Sequence, residues 1–316
     1  MVDVSIIIVN LNTRDLLRAC LRSVFSETST ISYEVIVIDN ASSDGSVEMV
    51  RTEFPAVRLF ANTTNEGFAR PNNEGMARAT GKYLFLLNSD TLVKPNAIAT
   101  LASFLDAHAD VGACGPMLLY PDGTLQYSVK GFPTVWTHCC DMLLLDKVFP
   151  RTRMFGRGEM KYFAYTETHS VDHVMAAAFM VRREVLSSAG MFDERFRIYY
   201  NDMDWCFRII RQGWKIYYVH DAQVVHYLGQ TVNALNTQFD YFEELYDNVI
   251  FFYQKHYGRA SVIAYKLLLV AGFLLRTPAW GIYRVLKPSP RSVHMAQFCR
   301  KSLAFGLRFW RPVPRS

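Results

Sequence analysis

The chain has 316 residues, 50% hydrophobic and 20% charged, a balance that excludes an intrinsically disordered chain and predicts one large folded domain with an appendage. Its net charge of +5 is unevenly spread, since twelve Lys and Arg but no Asp or Glu follow Asp247. This asymmetry predicts an anionic partner, either nucleic acid or an anionic membrane surface.

Strand-like and helix-like patterns alternate through the first third of the chain. Short apolar runs lie at Val4–Asn10, Tyr33–Asp39, Val57–Ala61 and Tyr83–Leu87, and helix-like stretches at Arg14–Phe25, Arg70–Ala79 and from Pro95 to His108. The strands are continuously apolar, as expected when both faces of a sheet are buried. This order predicts an α/β fold with a mostly parallel sheet flanked by helices.

The pattern changes beyond Gly115. A hairpin is predicted at Leu118–Tyr127 around Pro121-Asp122-Gly123, and the weakly periodic stretch from Ser128 to Ser170 is expected to be mobile and to face the substrate. The globular part is completed by Val171–Arg182, a helix at Asp202–Gln212, and the close pair Lys215–Val219 and Ala222–His226. We expect residues 1–250 to form this domain and residues 251–316 to form a basic, apolar helical tail.

Six cysteines are present without a CxxC pair, and the chain opens without the basic and apolar run of an export signal. Free thiols in a reducing cytoplasm are therefore expected, with a structural metal or disulfide as the less favoured alternative.

Polar residues directly follow three of the apolar runs. They are Asn10-Leu11-Asn12, Asp39-Asn40-Ala41-Ser42 and Asn88-Ser89-Asp90. Ligands of open α/β sheets collect at the carboxyl ends of strands, where a carboxylate can bind a base or ribose, or hold Mg²⁺ or Mn²⁺. An Asx turn with a helix cap is the structural alternative for the run at Asp39.

No GxxxxGK[ST] or GxGxxG run follows the first strand. Its absence argues against a P-loop nucleotidase and a dinucleotide-dependent dehydrogenase. A bound diphosphate would then have to be neutralised by a metal.

Six motifs in order carry a family resemblance. They are VSIIIVNLN, VIVIDNASSDGS, NEGFARPNNEG, FLLNSDT, FDERFRIYYNDMDWCFR and VVHYLGQT, spread over residues 4–231. Together they resemble the family 2 glycosyltransferases of GT-A fold, a Rossmann-like architecture, and within them the bacterial rhamnosyltransferase-like branch. The resemblance implies a nucleotide-diphosphate sugar donor and a divalent cation.

The same resemblance implies a donor pocket. Asn10, Asn12 and Asp39 would line it for the base and ribose, and Asn65, Gly67, Phe68 and Asn72 would flank the nucleotide. Asn88-Ser89-Asp90 matches the metal-binding Asp-x-Asp of the family, with Asn88 in place of the first Asp. An amide ligates a hard cation less well than a carboxylate, so we expect Asp90 to bind the metal and Asn88 and Ser89 to contact the donor.

His226 matches a late histidine ligand of the family and stands at the end of an apolar run. Imidazole suits Mn²⁺ better than Mg²⁺. A hydrogen-bonded strand-end histidine is the structural alternative.

Asp202 matches the catalytic base of the family, which removes the proton of an acceptor hydroxyl as that hydroxyl attacks the anomeric carbon. Glu usually stands where this chain has Asn201. Asn201, Asp204, Ala176 and Ala177 would lie on the acceptor side. The resemblance places the whole run of residues 173–178 beside the sugar and acceptor, and a core strand is the alternative for it. A helix start enriched in Asp is the alternative for Asp202, and a structural pair with Arg208 is the alternative for Asp204.

The tail contains an apolar stretch, Ser261–Leu286, whose longest charge-free segment is the nine residues Leu267–Leu275. A helix needs about 20 apolar residues to cross a bilayer. Further on, basic and apolar residues occupy opposite helix faces: Arg300, Lys301, Arg308 and Arg311 against Met295, Phe298, Phe305, Phe309 and Trp310. We expect an interfacial amphipathic helix on anionic lipid, with a spanning helix or a packing role in a homo-oligomer as alternatives.

These observations predict an inverting, metal-dependent glycosyltransferase on the cytoplasmic face of the membrane. The resemblance suggests rhamnose from dTDP-rhamnose as the donor and a glycan or polyprenyl-linked acceptor in cell-envelope synthesis. Transfer of another hexose from a UDP donor, a nucleotidyltransferase and a non-catalytic binder of nucleotide sugars are the rivals. Long apolar runs in the tail argue against nucleic acid.

Overall fold

The structure is a computed structural model that describes residues 2–196, 198–227 and 240–307. The chain divides into two compact units. The sheet unit comprises residues 1–132 and 163–238, and the helical unit comprises residues 133–162 and 239–316. The predicted boundary after residue 250 therefore falls inside a helix, and the helical unit includes an insertion from the middle of the chain.

The sheet unit contains the strands, which are β1 Val4–Asn10, β2 Tyr33–Asp39, β3 Arg58–Ala61, β4 Tyr83–Asn88, β5 Thr91–Val93, β6 Val111–Leu119, β7 Leu125–Gln126, β8 Val129–Lys130, β9 His169–Ser170, β10 His173–Val174, β11 Ala178–Arg182 and β12 Lys215–His226. The helices of both units are α1 Arg14–Glu27, α2 Ser46–Glu53, α3 Ala69–Arg78, α4 Ala97–Ala107, α5 Val135–Met142, α6 Leu145–Val148, α7 Glu184–Ala189, α8 Asn201–Arg211, α9 Asp240–His256, α10 Arg259–Leu286 and α11 Pro290–Leu307.

The main sheet has the order β3-β2-β1-β4-β11-β6-β12-β5 in the described chain. The first four strands are parallel, and β11 runs antiparallel between β4 and β6. Asn10 is paired with Asp39, and Val9 with Asn88, so the polar strand ends meet at one edge. The predicted α/β class, with a mostly parallel sheet, is confirmed.

The sheet core forms because the strand residues are apolar on both faces. Ile6 and Ile8 belong to the same buried cluster as Leu17 and Leu21 of α1. On the other face Ile7 packs so closely on Gly75 of α3 that a Cβ at that glycine would overlap it. This contact draws α3 close to β1 and thereby fixes the position of the loop that precedes the helix.

Two segments differ from the prediction. Lys215–Val219 and Ala222–His226 are parts of one strand, β12, whose pairing with β6 shifts between Val219 and Gln223. Such a bulge absorbs the polar residues that interrupt the apolar run without ending the strand. The predicted Val171–Arg182 run is divided into β10 and β11, and the turn between them becomes part of the site.

The insertion, residues 133–162, is more regular than the predicted mobile stretch. α5 begins with a capping box in which the Thr134 hydroxyl accepts from the Thr137 amide and Thr137 reaches back to the Thr134 amide. His138 Nδ1 lies 2.8 Å from the Tyr253 hydroxyl of α9, and its ring packs on Tyr265 of α10. The insertion is thus held by the C-terminal helices, which follow it in the sequence by about a hundred residues.

α10 and α11 pack against each other in the helical unit. Gly306 of α11 lies against Leu269 and Val270, close enough that a Cβ there would need them to move. Arg300 and Lys301 of the predicted basic face are exposed, whereas Phe298 and Phe305 are partly buried and contact Phe273 and Tyr246. Met295 is also partly buried, and the other members of that prediction, Arg308, Phe309, Trp310 and Arg311, lie outside the described residues.

One described helix, Arg259–Leu286, is long and apolar enough to cross a membrane by length and composition. The charged residues that interrupt its sequence, Lys266 and Arg276, do not break the helix. Length alone therefore leaves both a spanning and a surface-bound position open.

Candidate active site

The carboxyl ends of β1 and β2 carry a buried hydrogen-bond network around Asn10 and Asp39. Asn10 Nδ2 donates to Asp39 Oδ2 at 2.9 Å and to Ser42 Oγ at 3.1 Å, and Thr13 Oγ1 donates to Asn10 Oδ1 at 2.7 Å. Asp39 Oδ1 in turn accepts from the Ser42 amide. The two predicted donor-pocket residues therefore lie side by side, and their bonds fix the orientation of the Asp39 carboxylate.

The loop after β2 is tied to the loop after β1 through Asn12. The Asn12 amide donates to Ser42 Oγ at 2.9 Å, and its side-chain oxygen accepts from the Ser43 amide at 2.8 Å. Asn12 has a positive φ of 51°, a conformation that asparagine tolerates better than most residues. The predicted Asn12 is partly exposed and shapes the rim of this edge.

Asn40 organises the turn of the NEGF motif, a role that the sequence did not reveal. Its Nδ2 donates to Asn65 Oδ1 and to the Gly67 carbonyl, both at 2.9 Å, and its Oδ1 accepts from the Glu66 amide at 2.9 Å. Gly67 has a φ of 80°, in the left-handed region where glycine is unstrained. The predicted residues Asn65 and Gly67 are therefore held against the carboxyl end of β2.

Phe68 and Asn72 stand at the start of α3. Asn72 is buried and donates to the Phe68 carbonyl one turn earlier at 2.8 Å, which is a local helix contact. The Phe68 ring packs on Phe192 at 5.9 Å between centroids. The neighbouring Asn73 joins the same region, since it donates to the Phe192 carbonyl and accepts from its amide, both at 3.0 Å.

The Asn88-Ser89-Asp90 run follows β4 directly. Ser89 Oγ lies 2.8 Å from Thr13 Oγ1, which connects this run to the Asn10 network. Asn88 is partly exposed, whereas Ser89 and Asp90 are buried. Asn88 is therefore the member of the run that solvent reaches, and Asp90 is its buried carboxylate.

Asp90 and His226 come together although 136 residues separate them. β5 pairs with β12 so that His226 lies opposite Thr91, and His226 Nε2 is 3.4 Å from Asp90 Oδ1. The other ring nitrogen, Nδ1, lies 2.8 Å from Gln126 Oε1, and because an amide oxygen only accepts, Nδ1 carries the hydrogen. Nε2 is then left with its lone pair directed to the side of Asp90.

This pair fits a divalent cation. Two ligand atoms of one small cation, each about 2.1 Å from it, lie roughly 3.0–3.5 Å apart, and a metal-bound histidine usually donates its other N–H to an oxygen. Among the described residues no group of three or more His, Cys, Asp or Glu could hold a metal. Asp90 and His226 would supply two ligands, and the oxygens of a bound diphosphate could supply others.

The turn between β10 and β11 connects this edge to Asp202. The Ala177 carbonyl accepts from the Asn88 amide at 2.9 Å, and the Ala176 amide donates to Asp202 Oδ2 at 3.2 Å. Ala176 and Ala177 are both buried. Two successive small residues thus bring the carboxylate of α8 to the Asn88-Ser89-Asp90 run.

His173, the first residue of the run that the resemblance places beside the sugar and acceptor, is a neighbour of Asp202. Its Nε2 lies 3.2 Å from Asp202 Oδ2, and its Nδ1 is buried without a hydrogen-bond partner in the described chain. Burial disfavours the ionised Asp202 carboxyl, but His173 and the amides of Ala176 and Met203 outweigh it and hold the pKa of Asp202 below its ordinary value. The carboxylate is therefore ionised at neutral pH.

Asn201 and Asp204 have structural contacts. Asn201 Nδ2 donates to the Ile198 carbonyl and its Oδ1 accepts from the Asp202 amide, so it shapes the start of α8. Asp204 is fully buried and pairs with Arg208 at 2.8 Å, the structural alternative foreseen for it. These contacts favour a supporting role for both residues over the acceptor contacts predicted for them.

A comparison with protein-family models matches residues 5–189 to "Glycosyl transferase family 2". The chain belongs to this family. The match covers more than half of the chain and confirms the predicted family. It ends before Asp202 and His226, so the assignments of these two residues in this family 2 glycosyltransferase rest on geometry.

Curated relatives agree with the family. The chain is 30% identical over 230 residues to the O-antigen biosynthesis protein RfbC of Myxococcus xanthus, with 71% of this chain and 17% of the relative covered. It is 26% identical over 204 residues to the N-acetylglucosaminyl-diphospho-decaprenol L-rhamnosyltransferase of Mycobacterium tuberculosis, covering 61% and 66%. It is 22% identical to the dTDP-rhamnosyl transferase RfbF of Shigella flexneri, covering 66% and 64%. The chain thus spans less than two thirds of each of these relatives.

Solved structures share the fold of this family 2 member. The mannosyltransferase of Pyrobaculum calidifontis, in complex with GDP-Man and Mn²⁺, superposes with a TM-score of 0.58 at 16% identity over 98% of this chain and 87% of that one. GalNAc-T7 with UDP, GalNAc and Mn²⁺ has a TM-score of 0.55 at 18% identity, covering 81% and 51%. The predicted GT-A fold is confirmed.

Proposed function

We propose that this family 2 member is an inverting, metal-dependent glycosyltransferase with Asp202 as its catalytic base. The observation that carries the proposal is the pair of bonds through Ala176 and Ala177, which joins the Asp202 carboxylate to the Asn88-Ser89-Asp90 run. An ionised carboxylate beside a strand edge suited to a nucleotide is the arrangement that direct displacement at a sugar carbon requires.

In the proposed reaction an acceptor hydroxyl attacks the anomeric carbon while the bond from that carbon to the diphosphate oxygen breaks. Asp202 takes the hydroxyl proton, and displacement from one side inverts the anomeric centre. The Ala176 amide and His173 hold Asp202 Oδ2, so the carboxylate is oriented before the acceptor arrives. A divalent cation held by Asp90 and His226 would stabilise the charge that develops on the leaving diphosphate.

Rhamnose from dTDP-rhamnose is the donor that we propose. Two of the relatives are named for rhamnosyl transfer, and one of these names dTDP. A UDP-linked hexose or N-acetylhexosamine is the alternative, since GalNAc-T7 was solved with UDP. The partly exposed Asn88 is the side chain of the run that we expect to contact the donor.

The acceptor that we propose is a lipid-linked or polysaccharide glycan of the cell envelope. The Mycobacterium tuberculosis relative is named for N-acetylglucosaminyl-diphospho-decaprenol, a polyprenyl-linked sugar. We propose further that the protein binds peripherally to the cytoplasmic face of the membrane through its basic C-terminal residues. Extraction with alkaline carbonate would release a peripheral protein from membranes, whereas retention would favour a spanning α10.

The deciding experiment combines a donor screen with a base variant. Nucleotide sugars are tested with Mn²⁺ for protection against thermal unfolding, because a ligand that binds only the native state raises its stability. We expect dTDP-rhamnose to protect more than UDP sugars. Asp202→Asn should keep this protection and lose transfer to a polyprenyl-diphosphate sugar, whereas the exposed Asp110→Asn should keep both. Transfer at the original rate by Asp202→Asn would overturn the assignment of the base.

A further inference from the structure

Large apolar side chains are exposed mainly in the helical unit. Of the nineteen that are exposed in the described chain, sixteen belong to this unit, which is about a third of the chain. Soluble proteins usually scatter such residues singly over the surface, and a concentration of them indicates an interaction surface.

Six of these side chains lie in the insertion, and several of them form a local cluster. They are Trp136, Leu143, Leu144, Val148, Phe149 and Met154. Trp136 Nε1 donates to the Met154 carbonyl at 2.8 Å, and Phe155 has ring contacts with both Trp136 and Phe149. Val148 is 64% exposed and Met154 is 60% exposed, so the cluster supports outward-facing apolar side chains. We name residues 143–154 the insertion tip.

Arg276 of α10 binds the end of α5, directly before the insertion tip. Its guanidinium donates to the carbonyls of Asp141 and Met142 at the end of α5, at 2.7 and 2.9 Å. Leu143 follows Met142 in the chain, and Leu275 precedes Arg276 and is 70% exposed. The bond therefore brings the exposed apolar residues of the insertion close to those of α10.

The charges around these residues point to an anionic lipid surface rather than to a protein partner. Arg151 and Arg153 are exposed and flank Thr152 between Phe149 and Met154, whereas Asp146, the acidic residue of the insertion tip, is buried and paired with Lys147 at 2.6 Å. Trp136 adds an amphipathic ring of the kind that is enriched at membrane interfaces. After Asp247 the helical unit contains twelve basic and no acidic residues. Aliphatic, aromatic and basic side chains together are the composition of segments that bind the headgroup region of anionic bilayers.

We propose that the insertion tip is a membrane-docking element that buries Val148, Phe149 and Met154 in the headgroup region of an anionic bilayer. It acts together with the exposed residues of α10. This inference extends the membrane association proposed above and does not depend on which sugar is transferred.

The first test locates the insertion tip directly. The full chain carries Cys139→Ser and an environment-sensitive nitrobenzoxadiazole label at Val148→Cys, with Ala56→Cys, an exposed position of the sheet unit, as the matched control. Vesicles of phosphatidylglycerol and phosphatidylcholine should shift the emission of the Val148→Cys label to the blue and leave the control unchanged. An unchanged spectrum at Val148→Cys while the protein sediments with vesicles would overturn the proposal and leave the tail association intact.

The second test measures affinity. Val148→Glu with Met154→Glu should lower the vesicle partition coefficient at least about tenfold, because two large apolar side chains are no longer transferred from water. Ala56→Glu should leave it unchanged. Equal partitioning of all three proteins would contradict the docking role, and failure of the unmodified protein to bind vesicles would reject the membrane association as well. A blue shift that depends on protein concentration without vesicles would assign the insertion tip to self-association instead.

Discussion

At the scale of single residues, Gln126 fixes the tautomer and the orientation of the His226 imidazole. Its Oε1 takes the Nδ1 hydrogen, and its Nε2 lies 3.5 Å from the His226 carbonyl, so the amide faces the imidazole in one orientation. The lone pair of Nε2 is then directed to the side of Asp90. A histidine that could turn or change tautomer would bind a cation more weakly.

We expect Gln126→Leu to weaken Mn²⁺ binding about 10- to 100-fold, since the partner of a metal-binding histidine contributes that much in comparable sites. His226→Ala should weaken it further. The measurement is titration of Mn²⁺ by electron paramagnetic resonance in the presence of dTDP.

Gln223→Leu serves as the matched control, because Gln223 lies on β12, the strand of His226, and is partly exposed. Equal Mn²⁺ affinity of Gln126→Leu and Gln223→Leu would show that the Gln126 amide does not support metal binding.

His173 acts on the other functional carboxylate. Protonation of Asp202 stops it from accepting a proton, so activity is lost as the pH falls through the pKa of Asp202, which lies below its ordinary value. His173→Gln removes the imidazole that opposes the effect of burial, and the pKa of Asp202 should therefore rise. We expect the acidic limb of the kcat profile to move to higher pH.

His169→Gln, at an exposed histidine, is the control for this profile. A lower kcat with an unmoved acidic limb would indicate that His173 only supports packing.

The sequence predicted the functional carboxylates because their positions follow from local pattern. Asp39 and Asp90 follow apolar runs, and Asp202 begins a helix. Asn40 and His173 lie in runs that the sequence singled out, but their contacts could not be predicted, and Gln126 gave no signal at all, since each acts on a residue that only the fold brings near. Gln126 is a hundred positions from His226, and the β6–β7 hairpin is what joins them.

At the scale of elements, Glu34 holds together the amino ends of four neighbouring strands. Glu34 lies near the start of β2. Its carboxylate accepts hydrogen bonds from the Ser5 hydroxyl of β1 at 2.7 Å, from the Thr80 amide and hydroxyl before β4, and from Arg58 of β3. Burial alone would raise its pKa, but these bonds lower the pKa of Glu34 to about 2. One carboxylate thus fixes the order β3-β2-β1-β4 at the edge opposite the site.

We expect Glu34→Gln to lower the free energy of unfolding by about 2 kcal/mol at pH 7, since a carboxylate with a depressed pKa stabilises the native state while it is ionised. This contribution is complete above the unfolded value of about 4.5 and declines as the pH falls toward 2. Denaturant unfolding of both proteins at pH 7 and pH 4 would measure it.

Glu48→Gln, at an exposed glutamate of α2, should have little effect at either pH. If the difference in unfolding free energy between Glu34→Gln and the original protein stays constant with pH, then the stabilisation does not come from the charge of Glu34.

Strand and helix prediction succeeded where burial is continuous. β1 and β2 have the predicted bounds, because a run of β-branched residues buried on both faces has only one regular conformation that suits it. The insertion escaped prediction because α5 and α6 are short and their apolar residues face both the other helices of the unit and the outside. A helical period cannot be recognised when both faces are apolar.

At the scale of the whole molecule, the helical unit has a pH sensitivity of its own. His138 is enclosed between Tyr253 and Tyr265, and burial lowers its pKa to about 4. The unfolded chain takes up a proton near pH 6.5, whereas the folded unit does not do so until about pH 4. The stability of the helical unit should therefore fall as the pH decreases between these values.

We expect this loss to reach about 2 kcal/mol at pH 5. Thermal unfolding at pH 7.5 and pH 5 should show a smaller decrease in His138→Gln than in the original protein, and His169→Gln should resemble the original. An identical decrease in all three would assign the pH sensitivity to other groups.

The helical unit is also assembled from two distant parts of the chain, and this affects the order in which the molecule can fold during synthesis. α5 leaves the ribosome before the aromatic residues that cover His138 exist, and Tyr253 follows His138 by 115 residues (253 − 138). At a synthesis rate of about 5–20 residues per second the insertion waits roughly 6–23 s with its apolar side chains uncovered. The same dependence means that a chain shortened before α9 loses the partners of α5 along with its basic tail.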